Sequence, residues 1–372
     1  MLATKLLGTL ALLVAAVTAQ DTVAQPSTNL RGAESDDLAK FLEAWDAAIK
    51  AAAANAPVAE EAAAKAPVAE EATTLERGGR CQLSQTEAQR LSLNCDTNHI
   101  RFIGIGDWGE KKENSGVRAV RDGILRDAGS VDFIMSVGDN FYDKGVKSVD
   151  DSQWQKTWVE RFGIGSKLTL PWISILGNHD HYGNAQAEIN YASASKPGSR
   201  YWVMPDQFYS VDASANGHKM RFVVTDTESM SSSDLEWVQR EVNDDSLEFA
   251  LALGHHHIFS NGGRGDNSDS KMTQLNDVLQ ASKVKAYFGG HEHDMQILQS
   301  GNLDYFMFGG GGRGIHGDDP APGTNANVVY YALKYGYAIY DLDVAKHKLD
   351  VTYKIFNLDG SNAEVKTFSR QY

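Results

Sequence analysis

The sequence predicts an α/β protein built on a mixed sheet, and three observations carry that expectation. From His99 onward, short apolar runs alternate with amphipathic stretches, the texture of strands exchanging with helices. Five of these apolar runs end in glycine followed closely by Asp, Asn or His, as loops do when they hold ligands at the carboxyl ends of strands. The closing stretch, residues 337–344 and 349–356 around a turn at 345–347, reads as two paired strands, which makes the sheet mixed.

In order, residues 99–105 read as a strand and 115–127 as a helix. The stretch 131–142 (VDFIMSVGDNFY) follows as a buried strand, with Phe133, Ile134, Met135 and Val137 running into Gly138. Residues 154–162 read as helical and 170–176 as a strand. Short apolar strands are expected at 221–225, 249–253, 284–288 and 305–308, with helices at 233–242 and 271–282 between them. A single domain is expected to cover 99–372.

The first 98 residues have a different texture. Residues 1–19 read as a secretory signal: Lys5 supplies the positive end, 6–17 the apolar segment, and Val17-Thr18-Ala19 the small cleavage site. A secreted protein is therefore expected. That segment is too short to span a bilayer, and no later run of 18 apolar residues exists. Residues 20–98 are expected to form a low-complexity pro-region or linker, partly helical. Phe41, Leu42, Trp45 and Ile49 would share one face of a helix at 36–54, and APVAEEA occurs at 56–62 and again at 66–72. Cys81 and Cys95 are the only cysteines; they either close a short loop as a disulfide, as an oxidising compartment allows, or remain two thiols.

Composition narrows the partners. With 42% hydrophobic residues among 372, a sizeable core can be buried. A formal charge of −14 argues against nucleic acid, whose phosphates want a basic face. Phosphorylated substrates stay admissible, because bound cations reverse the local field.

The five loops carry metal-ligand chemistry. They read Gly106-Asp107-Trp108-Gly109, Gly138-Asp139-Asn140-Phe141-Tyr142, Gly177-Asn178-His179-Asp180-His181, Gly254-His255-His256-His257 and Gly289-Gly290-His291-Glu292-His293. The pattern GIGDWG at 104–109 also fits the dinucleotide fingerprint. It sets the Asp107 carboxylate where a pyrophosphate would approach, and no acidic residue ends a strand about 20 positions later, so a nucleotide cofactor is not expected. Asp107, Asp139, Tyr142 and a histidine form a hard anionic set suited to trivalent iron. Asn178, His255 and a second histidine, with Asp139 shared, form a softer set suited to a divalent ion. His291 and His293 alternate on what reads as an extended segment, so each can serve a different ion.

GDWG, GDNFY, GNHDH, GH and GHEH, in this order, resemble the five-motif signature of the purple acid phosphatases. The likeness is to the small, tartrate-resistant (type 5) branch of the metallophosphoesterase (calcineurin-like) superfamily, and it covers nearly all of 99–372. The resemblance implies a four-layer α/β/β/α sandwich of two mixed sheets. It also implies a ferric ion held by Asp107, Tyr142 and His293, and a divalent ion (iron, zinc or manganese) held by Asn178, His255 and His291, with Asp139 bridging. His179 would steady the substrate phosphate and protonate the leaving group. The implied reaction is acid phosphatase chemistry on small phosphorylated molecules or phosphoproteins, by in-line attack of a metal-bound hydroxide. A phosphodiesterase or nucleotide pyrophosphatase on the same site, or a non-catalytic phosphatase-fold anchor, are the alternatives. A monomer is expected.

Two of the sequence's departures from the family pattern fall within or beside the ligand motifs. Gly263 and Arg264 stand where the family usually has Glu-His near the substrate, leaving Arg264 and His257 as candidates to grip it. Glu292 stands where Asp is common, a change read as silent.

Overall fold

The strands of this chain pair in two separate sheets. The computed structural model describes residues 81–315 and 323–372. The leader at 1–19, the helix expected at 36–54 and the repeats at 56–72 lie outside the described residues.

The chain opens with β1 (Cys81–Glu87), β2 (Arg90–Cys95) and β3 (His99–Ile105), then β4 (Phe133–Ser136), β5 (Trp172–Ser174) and β6 (Trp202–Val203). Next come β7 (Tyr209–Ala215), β8 (His218–Val224), β9 (Phe249–Leu253), β10 (Val284–Gly289), β11 (Met295–Ser300) and β12 (Leu303–Phe308). The last four are β13 (Asn327–Ala332), β14 (Tyr335–Asp343), β15 (Lys348–Phe356) and β16 (Asn362–Gln371). One sheet has the order β1-β2-β7-β8-β9-β10-β12-β11-β13, the other β16-β15-β14-β3-β4-β5-β6. In each the centre is parallel, through β8-β9-β10-β12 and β3-β4-β5-β6, and the loops after these central strands emerge at their carboxyl ends.

The layering follows from period-2 geometry. Along β8 and β9, Phe222, Leu251 and Leu253 face the second sheet, while Val223, Ala250 and Ala252 face the helices α2 (Ser232–Val242) and α3 (Ser270–Gln280). Both faces are apolar because both are covered. Between the sheets Phe102 and Phe133 meet Phe222 edge-on at 5.7 and 5.8 Å, and Phe288 meets Tyr340 at 5.1 Å. Outside the second sheet lies α1 (Ser115–Asp127), begun by the Asn114 side chain accepting from the Val117 N–H at 2.8 Å, with Val120 and Ile124 buried beneath. The result is the four-layer α/β/β/α sandwich expected. Among the described residues no helix is long and apolar enough to cross a membrane.

The expected boundary at His99 is corrected. Strands β1 and β2 precede it and belong to the first sheet, where β2 runs parallel to β7. Leu91 and Leu93 are buried and Arg90 reaches Glu241 at 2.9 Å. Their outward residues, Gln82, Ser84, Ser92 and Asn94, dilute the apolar signal, which is why an edge hairpin reads as linker. Cys81 and Cys95 pair across this hairpin as a disulfide. The helix expected at 154–162 is π-wound over Trp154–Val159.

Candidate metal centre

Each of the five loops leaves a central strand at its carboxyl end, so residues far apart in sequence meet at one edge of the sandwich. The local backbone is unusual. Asp107, Asp139 and His291 all have positive φ, at 57°, 50° and 66°. For residues with a Cβ this conformation costs energy, and such outliers cluster where function over-determines them. Gly138, at φ 92°, makes the turn possible: a Cβ there would lie 2.8 Å from both His255 Nδ1 and the Gly177 nitrogen. The segment carrying His291 and His293 is therefore bent rather than extended, although the two side chains do diverge.

One set of donors gathers around the Tyr142 hydroxyl. Its oxygen lies 3.0 Å from Asp107 Oδ1, 2.7 Å from Asp139 Oδ2 and 3.1 Å from His293 Nε2. His293 Nδ1 lies 2.5 Å from the Gly314 carbonyl, which can only accept, so Nε2 turns its lone pair inward. Two carboxylate oxygens and an imidazole lone pair thus converge on a phenol that owns one proton. The donor atoms of Asp107, Asp139 and His293 all fall within 4.8 Å of one another.

A second set lies across Asp139. His255 Nε2 is 3.4 Å from Asp139 Oδ1 and 3.2 Å from Asn178 Oδ1, and His291 Nδ1 is 2.9 Å from the same Asn178 oxygen. His255 Nδ1 donates to the Val137 carbonyl at 2.8 Å, again leaving Nε2 to face the site. Asp139 therefore presents one oxygen to each set. The structure brings together all seven residues that the sequence singled out as metal ligands.

Electrostatics agree with a cation-binding role. Burial pushes the Asp107 carboxyl up to about 8, with the neighbouring Asp139 charge adding to the effect. Burial also acts on Asp139, but His255, Tyr142 and His179 outweigh it and hold that carboxyl below its usual range. The Tyr142 phenol is raised well above 10 by burial and by both carboxylates. His293 is lowered to about 4 by burial, and His291 is lowered too, by burial and then by His255. Two buried carboxylates beside neutral imidazoles form a site short of positive charge.

His179 stands apart from the two sets. Its backbone N–H donates to Asp139 Oδ1 at 2.9 Å, while its ring packs on Tyr142 at 4.4 Å with Nδ1 2.7 Å from the Asp143 carbonyl. Arg264 lines a cleft of about 470 Å³ beside His291, together with His256 and His257. Its Nε lies 3.3 Å from the buried Glu292, so the change read as silent supplies this arginine's partner. His257 is buried, stacks on His291 at 5.8 Å and directs Nε2 to the Gly265 carbonyl at 3.1 Å.

Sequence reasoning missed the supports. Asn140 donates its amide to Asp180, Glu188 and the Ile175 carbonyl, and Asp180 in turn accepts from the backbone N–H groups of Asn140, Phe141 and Gly177. This buried knot fixes the second and third loops together. Arg313 lies 4.6 Å over the Tyr142 ring and pairs with Glu110 and, at 2.9 Å, with Asp143. The sequence places the glycines at 309–312 with Arg313 in a loop at the rim of the site, read as close backbone packing, which gives the arginine no role of its own.

A layered α/β/β/α fold with two abutting donor sets at its strand ends defines a metal-dependent phosphoesterase. Residues 100–295 match the calcineurin-like phosphoesterase family, and the chain belongs to it. It is 27% identical over 292 residues to tartrate-resistant acid phosphatase type 5 of Oryctolagus cuniculus, covering 69% of this chain and 87% of that protein. Its fold is similar to a purple acid phosphatase, PPD1, from yellow lupin (Lupinus luteus) seeds, with TM-score 0.55 at 16% identity over 78% of this chain and 59% of that one. It is also similar to GAP50, the anchor in the inner membrane complex of Plasmodium, with TM-score 0.61 at 20% identity over 74% of this chain and 90% of that one. At these identities the two structural likenesses carry the fold alone.

Proposed function

We propose that the protein is a secreted acid phosphatase that hydrolyses phosphate monoesters at a dinuclear metal centre. The observation that carries this reading is the division of donors around Asp139, one carboxylate oxygen facing each set. The donor chemistry fits two cations. Asp107, Tyr142 and His293 would hold a ferric ion, Asn178, His255 and His291 a divalent one, and Asp139 would join them. Bound there, the ions would supply an acidified water and the positive charge that phosphorus-bound oxygens need as the ester breaks.

The chain's own residues do the rest. The carbonyls of Val137 and Gly314 fix the tautomers of His255 and His293. His179 is hydrogen-bonded to Asp139 only through its backbone and its imidazole is no candidate ligand, so the ring, packed on Tyr142, would be left to donate a proton to the departing oxygen. Arg264, anchored on Glu292, would border the phosphate from the cleft side. The secreted location rests on the leader at 1–19 and on the Cys81–Cys95 disulfide, which suits an oxidising compartment. Catalysis rather than anchoring is favoured because every candidate ligand is present and converges.

The test is hydrolysis of an aryl phosphate across pH 4 to 8, with Asp139→Ala as the blank. Activity that disappears in the variant supports the proposal. A folded, metal-loaded wild type that turns over no monoester overturns it.

A further inference from the structure

We infer that Tyr182 determines specificity for the leaving group, favouring monoesters of aromatic alcohols such as phosphorylated tyrosine side chains. The inference rests on the phosphatase reading above. Large apolar side chains exposed among the described residues are Tyr182, Val328, Leu358 and Val365, and Tyr182 alone of these is hydrogen-bonded to a candidate ligand. It is 58% exposed. A ring of that size left in water beside a buried polar centre is the kind of surface that ligands cover.

Its position is fixed from below. The Tyr182 N–H donates to the Asn178 carbonyl at 3.2 Å, closing the short helix Asn178–His181. The next residue, Gly183, is wedged against a neighbouring loop: a Cβ there would lie 2.4 Å from the Lys144 carbonyl oxygen and 2.7 Å from that of Val146. The Tyr182 hydroxyl accepts from Asn178 Nδ2 at 3.2 Å, which turns Asn178 Oδ1 toward His255 and His291. The ring is thus held at its base and its tip, with most of its surface open.

Three rings lead outward in sequence. Tyr142 packs against His179 at 4.4 Å, and His179 meets Tyr182 edge-on at 5.2 Å. When the bond from phosphorus to the leaving oxygen breaks, that oxygen takes the proton from His179 while water supplies the new oxygen on phosphorus. The carbon skeleton behind the leaving oxygen then lies next to Tyr182. An aromatic group there gains an aromatic neighbour, whereas a small alkyl group does not reach it. The cleft beside His291 has no Tyr, Phe or Trp in its wall: His256, His257 and Met272 line it together with the charged Glu228, Arg264 and Lys271.

The test uses two non-hydrolysable ligands, phenylphosphonate and methylphosphonate, titrated calorimetrically into the metal-loaded wild type, Tyr182→Ala and Tyr182→Phe. The wild type is expected to prefer phenylphosphonate. Both variants lose the hydroxyl that orients Asn178, so the preference within each protein is compared: Tyr182→Ala should cut the phenyl-over-methyl preference about two- to tenfold, whereas Tyr182→Phe should keep it. Equal weakening of both ligands, an unchanged preference in Tyr182→Ala, or no binding by the wild type would each overturn the inference. Aryl phosphate turnover is measured alongside. A wild type that binds both phosphonates yet hydrolyses no ester refutes the phosphatase reading, while the binding preference still decides the role of Tyr182.

Discussion

His179 is tied to Asp139 through its backbone alone: the amide donates to Oδ1 at 2.9 Å, and the imidazole turns away to the Asp143 carbonyl. The bond that steadies the shared carboxylate and the ring that would move a proton therefore belong to separable parts of one residue. His179→Ala should keep the full metal content, because the backbone donation survives. Turnover should fall about 10²- to 10⁴-fold, the usual contribution of a positioned acid. Metal analysis beside kcat checks both halves, and a variant as active as wild type removes His179 from the mechanism.

Tyr142→Phe removes the one phenol oxygen on which Asp107, Asp139 and His293 converge. Binding should weaken on that side and persist around Asn178, His255 and His291. Metal analysis of the purified variant should give about half the wild-type content, the loss expected when one of two sites is emptied. Any phenolate-to-iron colour should vanish with it.

Metal-free protein should lose stability as the pH rises from about 6.5 to 8. Burial raises the carboxyls of Asp107 to about 8 and of Asp180 to about 7, far above the unfolded value. In that window the folded chain keeps protons the unfolded chain has released, so deprotonation favours unfolding. Below about 6.5 the lowered histidines, His256 near 3 and His293 near 4, act in the opposite sense, because there only the unfolded chain takes up their protons. Urea midpoints of chelated protein at pH 6.5 and 8 measure the trend. Asp107→Asn should flatten it, and an unchanged slope would show that the proton sits elsewhere.

Asn140→Ala deprives Asp180 and Glu188 of a buried donor without touching any candidate ligand. A cost of about 1–3 kcal/mol is expected for the stranded acceptors. Denaturant unfolding would register it, and a loss of less than about 0.5 kcal/mol would mean the knot relaxes or admits water.

The edge hairpin gives a test of the domain boundary. A chain beginning at Cys81 should fold and keep its activity. One beginning at His99 loses β1 and β2, bares the edge of β7 and leaves Glu241 without Arg90. It should aggregate or unfold at lower temperature. Thermal melting and size-exclusion behaviour of the two chains distinguish them; equal behaviour would return the boundary to His99.

The strands that carry the site were readable because each is apolar on both faces and ends in glycine. Phe249–Leu253 and Val284–Gly289 could hardly be anything else. The edge strands β1, β13 and β16, and β2 next to β1, show water one face, so their pattern is half polar and blends with loops. At the site the same rule holds. Residues immediately following a glycine turn, such as Asp139 and His255, announce themselves locally. Arg313 and Glu188 do not, since their meaning lies in partners that only the fold supplies: Tyr142 for the one and Asn140 for the other. Glu292 is the instructive case, because substitution logic treats it as equivalent to aspartate until its contact with Arg264 is seen.

Asp107, Asp139, Tyr142 and Asn178 follow strands of one sheet, and His255, His291 and His293 follow strands of the other. Any cation held by both groups is a rivet across the seam of the sandwich. Its loss would unfasten that rim while the aromatic filling kept the rest closed, so a metal bound there would be a mechanical part as much as a chemical one. Loading the ions would then be the last step of assembly, and a chain stripped of them would breathe first at the edge where it works.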